Sequence, residues 1–295
     1  MSKDTLTAVA GIAVGHHTDT EAMTGCTVVV LPEPNVVAGE VRGAAPGTRE
    51  YALLGPDMSV TQADAIVLTG GSAFGLAAAD GVMSELEAQG RGYETTASAI
   101  PIVPTAVLYD LAVGDASVRP GPVEGAAAFL AASTSAVVQG LVGAGTGATC
   151  AKWRGESLPG GIGSAAVQVD GYTVAALVAV NSLGDVFSLE GESLTGGPAV
   201  AAPRTEPPSP NENTTLAVVA TDAALTRAEL GRLIVRAHDA FGACLRPAHT
   251  SFDGDICFAV STGGAGDVPA PAVHNLAEAA FEAVGRSIAN AVTTR

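Results

Sequence analysis

Residues 196–221 read GGPAVAAPRTEPPSPNENTTLAVVAT, and the join inside this stretch decides how the chain is built. Residues 196–213 carry five prolines and almost no apolar periodicity, which predicts an exposed, flexible linker. Residues 214–221 (TTLAVVAT) then run at once as a nearly all-apolar strand. On composition alone the linker reads as a domain boundary. The segment beyond it argues otherwise. Thr226 and Glu229 form a capping box opening a helix that places Leu230, Leu233, Ile234, Ala237, Phe241 and Cys244 on one face. ICFAVST (256–262) predicts another strand, and 272–292 a last helix aligning Leu276, Ala280, Val284, Ile288 and Val292. Strands this apolar require cover on both faces. So short a segment cannot supply that alone and must share a sheet with what precedes it. The chain is therefore expected to be one domain, 1–295, with the linker a slack loop over a common core that tolerates cutting.

Working outward, 25–31 (GCTVVVL) and 36–42 (VVAGEVR) are β-rich runs separated by a Pro/Asn turn, and 64–69 (DAIVLT) is a short apolar strand. It enters Gly70-Gly71-Ser72 and then a helical pattern over 73–88, with Leu76, Ala79, Val82, Met83 and Leu86 on one face and Gly90 as the stop. Residues 122–133 predict a second helix. Residues 135–142 (SAVVQGLV) predict a strand leading into GAGTG (143–147). AAVQVDGYTVAALVAV (165–180) predicts a hairpin turning at Asp170-Gly171, a type I′ dipeptide.

The balance of charge is −16, the wrong sign for tracking phosphates, so neither nucleic acid nor an anionic membrane is an expected partner. Hydrophobic residues make up 47% and aromatics only 4%, so the core must be aliphatic. Cys26, Cys150, Cys244 and Cys257 fall in no CxxC or zinc spacing and read as buried reduced thiols. MSKDTLTAVAG lacks a signal-peptide h-region, and no apolar run approaches a bilayer span, so the expectation is a cytoplasmic protein.

A Thr heading a buried strand just past a slack loop is placed for self-processing. The Thr214 hydroxyl can attack the Asn213 carbonyl and convert the amide to an ester, and water then cleaves the ester. The α-amine so released has a reference pKa near 7.7–8.0 and can serve as general base for its own hydroxyl. No separate His is then needed. His16 and His17 read as turn residues and His238 as part of an amphipathic helix; these, His249 and His274 are taken as structural or solvated. Asp253 and Asp255 in SFDGDICF read as a solvated turn, part of a cation site, or a pair on one side of an extended segment that holds a nearby ammonium. Lys152 is one of two lysines among fourteen basic residues. It reads either as compositional bias or as a position needing an ammonium with an adjustable pKa.

Six segments, GIAVGHHTD (11–19), LTGGSAFGLAAADGV (68–82), PIVPTAVLYDL (101–111), VGAGTGAT (142–149), GGIGSA (160–165) and NTTLAVVATDAALT (213–226), occur in this order. Together they resemble the family of self-cleaving aminopeptidases and amidases that includes the β-aminopeptidases, the D-aminopeptidase of the DmpA type and the nylon-oligomer endo-hydrolase, whose branch the Asn-Thr-Thr junction matches. The resemblance implies a four-layer αββα sandwich of mixed α/β class, related to ornithine acetyltransferase and to N-terminal-nucleophile hydrolases. It implies an α chain 1–213 and a β chain 214–295 that stay together as a heterodimer, and further assembly, a tetramer of such units being expected. It places the nucleophile on Thr214, the polar pair around its amine on Asp253 and Asp255, an amide facing it on Asn181, a nearby ammonium on Lys152 and a substrate-side ring on Tyr109. Pro159 stands where some members carry a basic residue. A small amide or short peptide is the implied substrate, with no cofactor and no metal.

Two alternatives stand beside this reading. An acyltransferase like ornithine acetyltransferase uses a related self-cleaving Thr fold and would need a second acceptor site. A non-catalytic dinucleotide-binding protein would rest on GAGTG, a fingerprint that requires a helix to follow.

Overall fold

The computed structural model describes residues 4–203, 212–263 and 268–294, so 204–211 of the predicted linker lie outside the described residues. The strands are β1 (Ala13–Asp19), β2 (Thr24–Val30), β3 (Val36–Val41), β4 (Thr48–Arg49), β5 (Ala65–Thr69), β6 (Thr105–Val107), β7 (Gly161–Val169), β8 (Tyr172–Asn181), β9 (Thr214–Thr221) and β10 (Ile256–Ser261). Further two-residue strands pair outside the main sheets. The helices are α1 (Ala78–Ala88), α2 (Pro122–Leu130), α3 (Arg227–Cys244) and α4 (Ala270–Thr293).

The strands form two five-stranded sheets, ordered β1-β2-β5-β6-β4 and β7-β8-β9-β10-β3. Each is antiparallel apart from one internal parallel pair, β5/β6 in the first and β9/β10 in the second. Side-chain alternation along β9 explains the layering. Leu216, Val218 and Ala220 join the apolar cluster between the sheets, with Val29, Ile66, Leu68, Leu177 and Phe258. Ala217 and Val219 point the other way, into a cluster completed by Leu233, Phe241, Leu276 and Val284 of α3 and α4. A third cluster joins Val28 and Val67 to Val82 and Leu86 of α1 and Ala128 and Phe129 of α2. The order of layers is helices, sheet, sheet, helices: the expected αββα sandwich. β9 lies between β8 and β10, so the segment after the linker forms the middle of a sheet whose other strands come from before it.

Most elements match their sequence reading. The hairpin closes between Val169 and Tyr172, with Asp170 and Gly171 at φ +53° and +85°, the two positive values a type I′ turn demands. Thr226 Oγ1 accepts from the Glu229 amide while Glu229 Oε2 accepts from the Thr226 amide, completing the capping box at the head of α3. All four cysteines are buried and unpaired. Among the described residues no helix is long and apolar enough to cross a membrane.

Some readings need correction. Residues 135–142 are not a strand. Gly140 sits at φ +93° and makes a single bridge to Ile162, while Val138 and Leu141 are exposed. Only Val137 and Gly140 of the run are buried, and the bridge at Gly140 is not extended into a ladder. The runs at 25–31 and 36–42 do not pair with each other; they enter different sheets. The 73–88 pattern divides into a 3-10 turn, Ser72–Ala77, followed by α1. His16 and His17 lie on β1, an edge strand whose half-exposed residues give no apolar alternation to read.

Phe258 is fully buried between the two sheets, so Phe258→Ala should cost about 3–5 kcal/mol of unfolding free energy, measured by urea denaturation.

Candidate active site

Register alone brings the residues of the join together. Thr214 opens β9 opposite Asn181, the last residue of β8. β10 runs parallel to β9, so 253–255, which lead into β10, lie alongside 213–215, with a bridge between Asn213 and Asp253. Lys152 sits in a 3-10 turn, Lys152–Arg154. That turn is pinned to the loop following β8 by the Ala151 amide donating to the Gly184 carbonyl (3.0 Å) and the Trp153 amide to the Leu183 carbonyl (2.7 Å). Tyr109 follows β6 and joins through its backbone, its carbonyl accepting from Asn181 Nδ2 at 2.9 Å.

Thr214 is buried, and its hydroxyl donates to the Asn213 carbonyl at 2.6 Å. The same carbonyl accepts from the Gly254 amide at 2.8 Å. The approach is close enough to exclude a side chain: a Cβ on Gly254 would stand 2.7 Å from Thr214 Oγ1 and 2.8 Å from the Ala45 carbonyl.

One residue upstream, the Glu212 carbonyl accepts from Asn181 Nδ2 at 3.1 Å and from Lys152 Nζ at 3.2 Å. Asn181 Oδ1 in turn accepts from Lys152 Nζ (3.0 Å) and the Thr149 amide (2.9 Å). In the continuous chain the Asn181 amide therefore serves the carbonyl before the join and not the Asn213 carbonyl. Asp255 Oδ1 accepts from the Thr215 amide at 2.7 Å. Its Oδ2 accepts from the His249 amide at 3.1 Å and lies 2.8 Å from His249 Nδ1. Asp253 Oδ2 accepts from the amide and hydroxyl of Thr250 at 2.7 and 2.6 Å.

Burial lowers Lys152 to about 8, against the opposing pull of the Asp253 and Glu212 charges. Burial, reinforced by the charge of Asp255, pushes Asp253 up to about 6 against its Thr250 hydrogen bonds. Neighbouring Cys150 is pushed up by burial to about 12, so it is a neutral thiol at pH 7 and offers Lys152 no charge. A cavity of about 260 Å³ opens beside the join, lined by Tyr109, Thr149, Lys152, Leu183, Glu212 and Asn213 among others.

The seven residues singled out from the sequence thus meet in one place. Sequence reading missed Thr149, Glu212, Thr250 and Gly254, and it set His249 aside as structural or solvated. Glu212 and Gly254 act through backbone groups, and Thr149 through its amide. Only the DGD run hinted at Gly254. GAGTG folds as a 3-10 turn with no α-helix after it. Its amides at Gly143 and Ala144 donate to the hydroxyls of Thr18 and Thr27, which removes the structural basis of a dinucleotide site. Among the described residues no group of three or more His, Cys, Asp or Glu is arranged to hold a metal ion.

The layered fold is that of the N-terminal-nucleophile hydrolase architecture. The L-aminopeptidase D-Ala-esterase/amidase of Ochrobactrum anthropi, described as a variant of the Ntn hydrolase fold, superposes with a TM-score of 0.76 and 21% identity, over 98% of this chain and 85% of that one. An uncharacterised aminopeptidase of Mycobacterium leprae is 42% identical over 294 residues, covering 88% of this chain and 79% of its own. A 6-aminohexanoate-oligomer endohydrolase of Kocuria is 28% identical over 269 residues, covering 85% and 73%. The model of peptidase family S58 matches residues 4–294, and the chain belongs to that family. It is a hydrolase of peptide or amide bonds.

Lys152 tests the electrostatics. Its folded pKa lies below the unfolded value of 10.5, so its charge destabilises the fold below about pH 8, and this cost fades as pH rises toward 10.5. Each main acceptor of Lys152 keeps another donor: Asn181 Oδ1 keeps the Thr149 amide, and the Glu212 carbonyl keeps Asn181 Nδ2. Lys152→Met, compared in a Thr214→Ala background so that chain continuity is equal, should therefore be more stable at pH 7 by about 1–2 kcal/mol. Denaturation at several pH values should show the difference closing between pH 8 and 10.5.

Proposed function

We propose that this chain cuts itself between Asn213 and Thr214 and that the new N-terminal Thr214 then hydrolyses amides through an acyl-enzyme. The observation that carries the reading is the convergence of the Thr214 hydroxyl (2.6 Å) and the Gly254 amide (2.8 Å) on the Asn213 carbonyl oxygen. A rotation about the Thr214 side chain brings Oγ from that oxygen to the carbonyl carbon. Attack forms the C–O bond, and the negative oxygen that develops is already held by the Gly254 N–H. Collapse breaks the C–N bond as the proton lost from Oγ passes to the Thr214 nitrogen, giving an ester on Oγ and a free α-amine. Water hydrolyses the ester and leaves an Asn213 carboxylate and the Thr214 hydroxyl.

In turnover the α-amine takes the Oγ proton as Oγ attacks the substrate carbonyl, and hands it to the departing amine. Water then resolves the acyl-enzyme by the same route. Asp253 and Asp255 flank the position of that amine and hold it there, while Asn181 and Lys152 supply donors on the acyl side. Tyr109 forms part of the cavity wall that receives substrate. Fragments 1–213 and 214–295 remain one body, because β9 is hydrogen-bonded on both sides; assembly of such units into a tetramer is part of the same proposal. The substrate is a small amide or short peptide, in line with relatives named as an aminopeptidase and a 6-aminohexanoate-oligomer endohydrolase. No observation favours the acyltransferase alternative over hydrolysis.

Denaturing electrophoresis with intact mass should give two fragments of roughly 21 and 8 kDa, dividing the mass by chain length. Thr214→Ala should remain one inactive chain, and cutting of that variant at the same bond would remove Thr214 as nucleophile. Gly254→Ala, whose methyl occupies the space beside Oγ, should slow cutting about tenfold or more in a time course, since even small misplacement of reacting atoms is this costly.

A further inference from the structure

We infer that His249 is a positioning residue for the cutting reaction and for turnover: its Nδ1–H aims the Asp255 carboxylate at the Thr215 amide and so sets where the Thr214 hydroxyl stands. The inference rests on the self-cleavage reading and adds to it a residue that touches neither substrate nor the bond being cut.

The register of β9 and β10 starts at Leu216 and Ile256. Just before it, the Thr215 amide is taken by a side chain, Asp255 Oδ1, at 2.7 Å. That bond holds the peptide plane that follows the nucleophile, so a turn of the carboxylate shifts Thr214. The Asp255 main chain is already pinned, its carbonyl accepting from the amides of Arg42 (3.0 Å) and Gly43 (3.1 Å). What stays free is the side-chain rotation, and residue 249 governs it. Asp255 Oδ2 accepts from the His249 amide at 3.1 Å and from Nδ1 of its ring at 2.8 Å, the shorter of the two.

The ring is held from behind by α3. It lies 4.9 Å from the His238 ring, edge to face at 70°, and 5.6 Å from the Phe241 ring. Burial lowers His238 to about 3, so that wall is neutral at pH 7. Two costs are visible at residue 249. Its backbone sits at φ +54°, a conformation L side chains rarely adopt. Its Nε2 is buried without a partner among the described residues. An apolar ring would pack against Phe241 and leave no unpaired nitrogen, so packing does not explain a histidine here. The bond from Nδ1 to Asp255 does. Strain and an unpaired polar atom kept together beside Thr214 are the marks of a residue retained for function.

Three substitutions separate the explanations. His249→Asn keeps an N–H close to the Nδ1 position and tolerates the left-handed backbone. His249→Gly tolerates that backbone and has no side-chain donor. His249→Phe keeps a ring against α3 and has no donor. Each is followed by a time course of fragment formation in newly synthesised chain, with thermal melting to show that the variant is folded. The glycine and phenylalanine variants should cut about tenfold or more slowly than wild type, since small misplacement of reacting atoms is this costly, and the asparagine variant should recover most of the loss. A packing role would rank phenylalanine above asparagine. A role confined to backbone strain would place glycine level with asparagine. Either ranking overturns the inference, as does wild-type cutting by the phenylalanine variant. If the glycine variant does not fold, the order of asparagine and phenylalanine still decides. In the matured enzymes, an amino acid p-nitroanilide that wild type turns over should show kcat reduced in the same order with KM little changed. A rise in KM at constant kcat would make His249 a substrate contact and overturn the assignment. Wild-type chain that never divides sinks the self-cleavage reading itself, whereas wild type that divides alongside variants in the wrong order sinks only this inference.

Discussion

The hydrogen bond from the Gly254 amide to the Asn213 carbonyl fixes everything else at the site. It exists because β9 and β10 are parallel neighbours, which draws the segment before β10 level with the residue before β9. The absence of a Cβ on Gly254 lets the two backbones approach until Thr214 Oγ1 has little free space. The antiparallel partner on the other side, β8, ends at Asn181 directly across from Thr214. Three strands thus deliver a hydroxyl, a backbone donor and a side-chain amide to one point without relying on any long loop. Lys152 is the one group brought by a turn, and two backbone hydrogen bonds to the end of β8 tie that turn down.

This placement resolves an apparent conflict between cutting the backbone and keeping the fold. A break at the end of an edge strand would free a strand to peel away. The proposed break falls at the start of a central strand, buried on both faces and bonded to neighbours from either side. The residues of β9 contribute to two apolar layers at once, so separating the fragments would expose both. Burial of that kind would hold the two fragments of a chain cut there together.

The fold was legible where burial on both faces produced an unmistakable signal. TTLAVVAT could only be an interior strand, and Asp170-Gly171 could only be a tight turn between its flanking runs. Legibility failed at the margins. Val138 and Leu141 are apolar and exposed, so SAVVQGLV imitates a strand without joining one. The edge strand β1, with its two histidines, shows no alternation at all. At the site, the residues whose side chains are proposed to act were readable by type and by family likeness: Thr214, Asn181, Lys152, Asp253, Asp255. Contributions from the backbone were not, because a carbonyl at Glu212 or an amide at Gly254 looks the same as any other in a sequence. His249 was set aside for a different reason. Nothing in its neighbours announces that residue 249, at φ +54°, turns its ring back onto Asp255.

The electrostatics show which pressures shaped these positions. Between about pH 6 and pH 8 both Asp253 and Lys152 are ionised, and burial disfavours the charged form of each. For Asp253 the sign runs opposite to that of Lys152. Its folded pKa is raised, so its contribution to stability is greatest below the unfolded value of 3.8 and is lost as pH climbs through about 6. The fold is therefore least helped by these two groups in the very window where both carry charge. A core selected for stability alone would place neutral side chains here. An arginine at 152 would keep its charge at any accessible pH and could not adjust, whereas a lysine near 8 can hold a proton over a carbonyl and still release it. The cost is consistent with a site that needs mobile protons next to Thr214, and it sets Lys152 and Asp253 apart from the structural ion pairs on the surface, such as Arg236 with Glu278, where partial exposure keeps both partners comfortable.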